Sequence, residues 1–85
     1  MEGMNKLAKP LALAEARSYA RSGYGRDVRV KAGLSLADVA GAIGVSTATV
    51  HRWETGKYRP AGAAALAWGR LIEALAARQT GGTTA

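Results

Sequence analysis

The stretch that decides the fold runs from Ser35 to Pro60 and reads SLADVAGAIGVSTATVHRWETGKYRP. Its first half has apolar residues at the i, i+3, i+4 and i+7 spacing of a helix with one buried stripe: Leu36, Val39, Ala40 and Ile43. Ser35 suits the N-cap of this helix, because Asp38 stands three residues later and can return the capping hydrogen bond. This half of the stretch therefore predicts a short amphipathic helix.

The second half predicts another short helix, which follows a sharp turn. Gly44 stands where the chain must reverse, a position that favours a residue able to adopt positive φ. Ser46 is the expected N-cap of the next helix, and Gly56 closes it. Ala40 has to be small because the two helices cross there. Three apolar residues seal the second helix onto the first: Val45, Val50 and Trp53. Residues 35–56 therefore predict a helix-turn-helix unit.

The flanking sequence predicts three more helices. The first spans Ala12 to Ser22 and is rich in good helix formers, with Pro10 suited to its first turn. A short helix follows from Gly25 to Ala32, and the last helix begins near Ala61. The buried face of that last helix consists of Trp68, Leu71, Ile72 and Leu75. Because β-branched residues do not alternate with polar ones over any long stretch, no strand is expected.

These patterns predict an all-α domain of five helices with short connections. We expect an N-terminal segment at residues 1–11, a helical domain at 12–78 that contains the helix-turn-helix unit, and a flexible, polar tail at 79–85. The chain has 85 residues, of which 48% are hydrophobic and 21% charged, and this composition is typical of one globular domain.

Composition excludes several kinds of site. The absence of cysteine rules out disulfides, thiolate catalysis and cysteine-ligated metals. A single histidine, His51, cannot build a His-rich metal cluster, so we expect no metal and no cofactor. No apolar run approaches the roughly 20 residues that span a bilayer. Residues 1–9 lack the apolar block of a secretory signal, so a soluble protein of the cytoplasm without membrane contact is expected.

The charge balance points to a polyanionic partner. Twelve Lys and Arg residues against six Asp and Glu residues give a net charge of +6. The positions of charged residues on the fourth helix sharpen this expectation. A wheel at about 100° per residue places Val50, Trp53 and Ser46 on one side, with Glu54 at the margin. The opposite side, called the outer arc below, consists of Thr47, Ala48, His51, Arg52 and Thr55.

The outer arc carries no acidic residue, as a helix that enters a negatively charged groove requires. We expect Thr47 and Ala48 to lie nearest the bases, where methyl groups can pack on a thymine methyl. Arg52, one turn further on, can bind guanine O6 and N7. His51 completes the expected set of base contacts. Trp53 could serve as a stacking platform for single strands, but its place on the wheel favours the core.

The sequence resembles the Cro/phage-repressor-like helix-turn-helix regulators, also called the XRE family, over roughly residues 26–75. The resemblance rests on Arg29, Gly33-Leu34-Ser35, Ala40, Ile43-Gly44-Val45-Ser46, Val50, Trp53-Glu54-Thr55-Gly56-Lys57 and Pro60. It implies a five-helix, lambda-repressor-like fold. It also implies an ion pair between Arg29 and Glu54 that ties an early helix to the end of the recognition helix.

The resemblance further implies contacts to the DNA phosphates. The positions that match are Ser46, Thr49, Lys57, Tyr58 and Arg59. Leu36 departs from the family, in which many members have a glutamine that supports a phosphate contact. The phosphate contact of the third helix is therefore expected from Ser35 and backbone N–H groups.

We therefore expect a sequence-specific regulator of transcription that binds double-stranded DNA, acting as a Cro-like repressor of phage or prophage type in a bacterial cytoplasm. No small-molecule ligand is expected. Two alternatives are an antitoxin that represses its own synthesis with the same fold, and a protein-interaction module. An enzyme is the least favoured reading, since no spacing joins a nucleophile, a base and an orienting group. A homodimer, at least on DNA, would use a seam on the last helix formed by Leu66, Ala63 and Ala67.

Overall fold

Residues 2–82 fold as a bundle of five helices. The computed structural model describes the backbone of residues 2–82 and the side chains of residues 7–79. The helices are α1 (Glu2–Ser22), α2 (Tyr24–Lys31), α3 (Leu36–Ile43), α4 (Thr47–Glu54) and α5 (Gly62–Gly82). Residues 2–82 contain no strand, so the predicted all-α, five-helix fold is confirmed. No helix in this part of the chain is long and apolar enough to cross a membrane.

The start of α3 has the capping box that the sequence predicts. Ser35 Oγ accepts a hydrogen bond from the Asp38 backbone N–H at 2.9 Å, and an Asp38 carboxylate oxygen accepts one from the Ser35 N–H at 2.8 Å. The hydrogen bond from the Ser35 backbone N–H, and after it the contact with the Ser35 side chain, hold the pKa of Asp38 below its ordinary value, because both favour the charged carboxylate. The helix ends at Gly44, whose φ of 77° lies in the left-handed region.

All five helices contribute buried residues to one core. Val39, Val50 and Ile72 are fully buried, and Trp68 occupies the centre with no exposed surface. The ring of Trp53 lies 5.4 Å from that of Trp68, tilted by 52°. This geometry is that of a packed aromatic pair. Trp53 is therefore part of the core, as its wheel position predicts, and is not a stacking platform.

The longest helix of the N-terminal half, α1, packs against α5 through small residues. Ala16 is fully buried, and a Cβ added to Gly69 would lie 3.2 Å from the Ala16 Cβ. Tyr19 links the same two helices, because its hydroxyl lies 3.0 Å from a Glu15 oxygen and 2.9 Å from a Glu73 oxygen. Burial and these two carboxylates raise the pKa of Tyr19, so the hydroxyl stays protonated. These contacts fix α1 on the bundle.

Two helix bounds differ from the sequence prediction. Helix α1 begins at Glu2 rather than near Ala12, and Pro10 lies inside it. Pro10 costs this helix one backbone hydrogen bond, and the good helix formers on both sides of it favour a continuous helix. Helix α5 continues to Gly82, past the expected tail boundary, and Gln79 Nε2 donates to the Val28 carbonyl at 3.0 Å. The rest of the expected tail, residues 83–85, lies outside the described residues.

Candidate nucleic-acid interface

The C-terminal end of α4 is held in place by a buried ion pair. Arg29 Nε donates to one oxygen of Glu54 at 2.6 Å, and Nη2 donates to the other at 2.9 Å. Arg29 Nη1 also donates to the Leu34 carbonyl at 2.8 Å. Only 11% of the Arg29 side chain and 2% of the Glu54 side chain are exposed. The pair that the family resemblance implies is thus present, and its hydrogen bonds raise the pKa of Arg29.

The N-terminal end of α4 is capped by Ser46. The Ser46 hydroxyl accepts from the Thr49 N–H at 3.1 Å, and the Ser46 and Thr49 hydroxyls lie 3.0 Å apart. Ser46 is exposed and Thr49 is half-buried, so both hydroxyls lie at the edge of the surface. Because each end of α4 is fixed by side-chain bonds, the helix presents its outer arc in one orientation.

The outer arc faces solvent over its whole length. Its members are all exposed: Thr47, Ala48, His51, Arg52 and Thr55. On the opposite side, Val50 and Trp53 are buried, and Glu54, the one acidic residue of α4, is buried against Arg29. The arc therefore offers hydroxyl, methyl, imidazole and guanidinium groups without a negative charge.

Arg52 contacts the ring of Tyr58. Its guanidinium carbon lies 5.1 Å from the ring centroid, within the range of a cation–π interaction. Both side chains are exposed. The sequence places Tyr58 among the phosphate contacts, and the structure adds that its ring supports the arginine that we expect to reach a base. The sequence does not indicate this contact, because the two residues are six positions apart and the helix ends between them.

The basic loop after α4 folds back on the helix. Gly56 adopts a φ of 74°, and the backbone N–H groups of Lys57 and Tyr58 donate to the Arg52 carbonyl at 3.1 and 3.4 Å. Lys57, Tyr58 and Arg59 are exposed beside the outer arc, while Pro60 is buried. These backbone bonds fix the path of the loop as it leaves the C-terminal end of α4. The loop places two cations, Lys57 and Arg59, along that path.

The expected contact of α3 lies at its N-cap. Ser35 is exposed, although its hydroxyl already serves the Asp38 N–H, and Leu36 is half-buried. The contact between Ser35 and a backbone phosphate stays a prediction. The aliphatic side chain of Leu36 contributes to packing instead.

The sequence was compared with known proteins. The family model described as a helix-turn-helix domain matches residues 26–81, which is more than half of the chain. The chain belongs to the helix-turn-helix domain family. Comparison with curated proteins gave no match, and comparison with solved structures gave none either.

Membership of the helix-turn-helix domain family confirms the resemblance to XRE-like regulators, with which the family is associated. Such domains are found in DNA-binding regulators, and the family is typically not enzymatic. In this helix-turn-helix domain, residues 35–56 form the unit that the sequence predicts, with α3 as its first helix and α4 as its second. The helix α1 precedes the matched residues.

The sequence did not indicate that α1 contributes to the surface beside the loop after α4. Arg17 Nε donates to the Pro60 carbonyl at 2.9 Å, across 43 residues of sequence. Arg21 lines the same groove between α1 and the loop. The two arginines are four residues apart, which shows only that they share a helix face. No local pattern reveals that this face meets the loop after α4.

The expected dimer seam on α5 stays a prediction. Ala63 is exposed, and Leu66 and Ala67 are half-buried. These three small or aliphatic side chains form no charged or polar contact that would select a partner.

Proposed function

We propose that this protein is a sequence-specific regulator of transcription that binds double-stranded DNA, acting as a Cro-like repressor of phage type. Helix α4 lies in the major groove in this proposal. Thr47, Ala48, His51 and Arg52 contact base edges, and the loop after α4 contacts the phosphates. The observation that carries the proposal is the exposed, acid-free outer arc on a helix whose two ends are fixed.

In this proposal the contacts fall into two classes. Residues that face straight out from α4 reach base edges, since the major groove admits one α-helix. Residues at the helix ends and in the loop reach the backbone on either side: Ser35, Ser46, Thr49, Lys57, Tyr58 and Arg59. Phosphate contacts position the helix, and base contacts select the sequence. Binding should therefore have a large electrostatic part and a smaller part that depends on sequence.

Repression follows from simple occupancy in this proposal. A helical domain that covers its operator excludes RNA polymerase without needing a ligand-binding pocket. A dimer on DNA would place its two α4 helices about one helical turn, roughly 34 Å, apart. The operator would then be a palindrome with that half-site spacing.

Selection of bound duplexes from a random library tests the proposal. The expected result is an enriched motif, and two inverted half-sites would support the dimer. Arg52→Ala, taken through the same selection, should lose preference at one or two base pairs of the motif. If the wild-type protein enriches no motif, or the enriched duplexes bind no better than random ones, the proposal is wrong. Binding that hardly responds to salt would instead favour a protein-interaction module.

A further inference from the structure

A groove runs between α1 and the loop that follows α4. Its volume is about 730 Å³, and it is open to solvent. One wall is a face of α1 that includes Leu13, Arg17 and Arg21. The other wall is the loop segment 56–60. The groove therefore joins the helix outside the matched family domain to the loop beside the outer arc.

The groove is strongly basic. Four of its lining residues are cations, namely Arg17, Arg21, Lys57 and Arg59, and none of its lining residues is acidic. Arg21, Lys57 and Arg59 are exposed, and Arg17 is half-buried. The bond from Arg17 to the Pro60 carbonyl uses Nε alone, so this arginine keeps its Nη groups for another acceptor.

The acidic side chains described in residues 7–79 are engaged or placed elsewhere. Glu54 is paired with Arg29 and Asp38 caps α3. Glu15 and Glu73 accept from the Tyr19 hydroxyl on the other side of α1. Asp27 lies in the first turn of α2. The positive charge of the groove is thus left without an internal counter-charge in this part of the chain.

The groove is continuous with the DNA surface proposed above. Tyr58 lines the groove and also supports Arg52 on the outer arc. Lys57 and Arg59 belong to both surfaces as well. A DNA backbone that passes the end of α4 therefore runs directly toward the cations of α1. This continuity, together with the charge, favours DNA over a separate acidic partner.

We propose that the groove between α1 and segment 56–60 is a second contact to the DNA backbone, in which Arg21 and Arg17 bind a phosphate beyond those reached from the helix-turn-helix unit. The inference rests on the proposed function, since it assumes that the outer arc lies on DNA. It assigns α1 a role in affinity. Phosphates carry no sequence information directly, so α1 adds no base preference.

Arg21→Ala is the cleanest test, because Arg21 is exposed and forms no hydrogen bond within the described side chains. Arg70→Ala is the matched control, since Arg70 is an exposed helical arginine that does not line the groove. Affinity for a fluorescent duplex of roughly two helical turns is measured as salt is varied. Circular dichroism checks that both variants keep their helices.

The Arg21→Ala variant should have a salt slope flatter than wild type by about 0.9, the value for one phosphate. When salt is raised from about 50 to 200 mM, the affinity of wild type should fall about 3.5-fold more than that of the variant. Its ratio of affinities for a selected and a scrambled duplex should be unchanged. The Arg70→Ala slope should equal that of wild type.

An Arg21→Ala slope equal to that of wild type would overturn the inference while leaving the proposed function intact. An equal flattening in Arg70→Ala would also overturn it, because the effect would then reflect net charge alone. Polyglutamate provides the other arm of the test. If Arg21→Ala lowers polyglutamate binding but not the DNA slope, the groove serves an acidic protein. If wild type does not bind the duplex at all, the proposed function itself fails.

Discussion

The guanidinium carbon of Arg52 lies 5.1 Å from the centre of the Tyr58 ring, so the side chain on the outer arc that is longest and most strongly charged rests on an aromatic surface. The contact links α4 to the loop that folds back on it. A supported arginine loses less conformational entropy when it binds a base edge than one that moves freely. We therefore expect Tyr58 to orient Arg52, in addition to the phosphate contact proposed for it.

Arg52→Ala should lower affinity for the best duplex by roughly 1–3 kcal/mol and relax selection at one or two base pairs. The reason is the loss of the bidentate contact to guanine that is proposed for Arg52. Fluorescence anisotropy on selected and scrambled duplexes measures both effects. If affinity for the two duplexes fell equally, Arg52 would contact phosphate and the assignment to a base would be wrong.

Tyr58→Leu should weaken binding to the selected duplex by about 0.5–1 kcal/mol, the size of an exposed cation–π interaction. Tyr58→Phe keeps the ring and should retain the sequence preference. A double-mutant cycle with Arg52→Ala isolates the coupling between the two side chains. Equal effects of Tyr58→Leu with and without Arg52 would show that the ring does not orient the arginine.

Lys57→Ala should weaken binding to all duplexes alike and flatten the salt slope by about one unit, because Lys57 is proposed to bind a phosphate. Lys57 is exposed in the loop that follows α4. Lys31→Ala is the control, since Lys31 is an exposed lysine at the end of α2 and lies outside the loop. A slope unchanged from wild type would reject the phosphate contact.

Glu54→Gln should lower the free energy of unfolding by roughly 3–5 kcal/mol, because it leaves the buried Arg29 charge without its partner. Urea unfolding followed by circular dichroism measures the loss. The double variant Arg29→Met with Glu54→Leu should be more stable than Glu54→Gln, since both buried charges are then removed. A loss below about 1 kcal/mol for Glu54→Gln would contradict this prediction, because so small a contribution is typical of solvent-exposed ion pairs.

The residues of the helix-turn-helix unit could be predicted because their constraints are local. Capping by Ser35 and Ser46 and the positive φ of Gly44 and Gly56 depend on neighbours in sequence, and the structure has all four. The Arg29–Glu54 pair spans 25 residues and came from the family resemblance, not from spacing. Other contacts between elements distant in sequence, such as that of Arg17 with Pro60, are indicated neither by local patterns nor by the resemblance.

The contribution of α1 shows the limit of local reasoning. The bond from Arg17 to Pro60 joins residues 43 apart and depends on how α1 crosses the bundle. That crossing is set by two small residues, Ala16 and Gly69. Because small residues occur in many helices, the sequence alone does not indicate where two helices cross. The start of α1 also differs from the prediction, because a proline favours the first turn of a helix, whereas Pro10 lies inside this one.

The capping box of α3 should make stability sensitive to acid. The folded-state pKa of Asp38 is lowered by its hydrogen bonds to Ser35, so its contribution is present above the unfolded pKa and is lost as pH falls through the folded value. The window lies below about pH 4, the ordinary value for aspartate. Asp38→Asn, which does not titrate, should lose less stability than wild type between neutral and strongly acidic pH. Parallel unfolding curves at all pH values would contradict this.

Two glycines in helices should respond oppositely to alanine. A Cβ at Gly25 would lie 2.6 Å from Trp68 Cζ2 in the core, whereas a Cβ at Gly41 meets nothing within 4 Å. Gly41→Ala should therefore raise the free energy of unfolding by about 0.5–1 kcal/mol. Alanine has the higher helix propensity, and it also lowers the conformational entropy of the unfolded chain. Gly25→Ala gains the same propensity, but overpacking costs roughly 1–3 kcal/mol, so a net loss is expected. Because Trp68 packs on Trp53 of α4, its displacement would also disturb the outer arc. Urea unfolding measures both variants, and a Gly25→Ala protein as stable as Gly41→Ala would show that the Trp68 ring moves aside without cost.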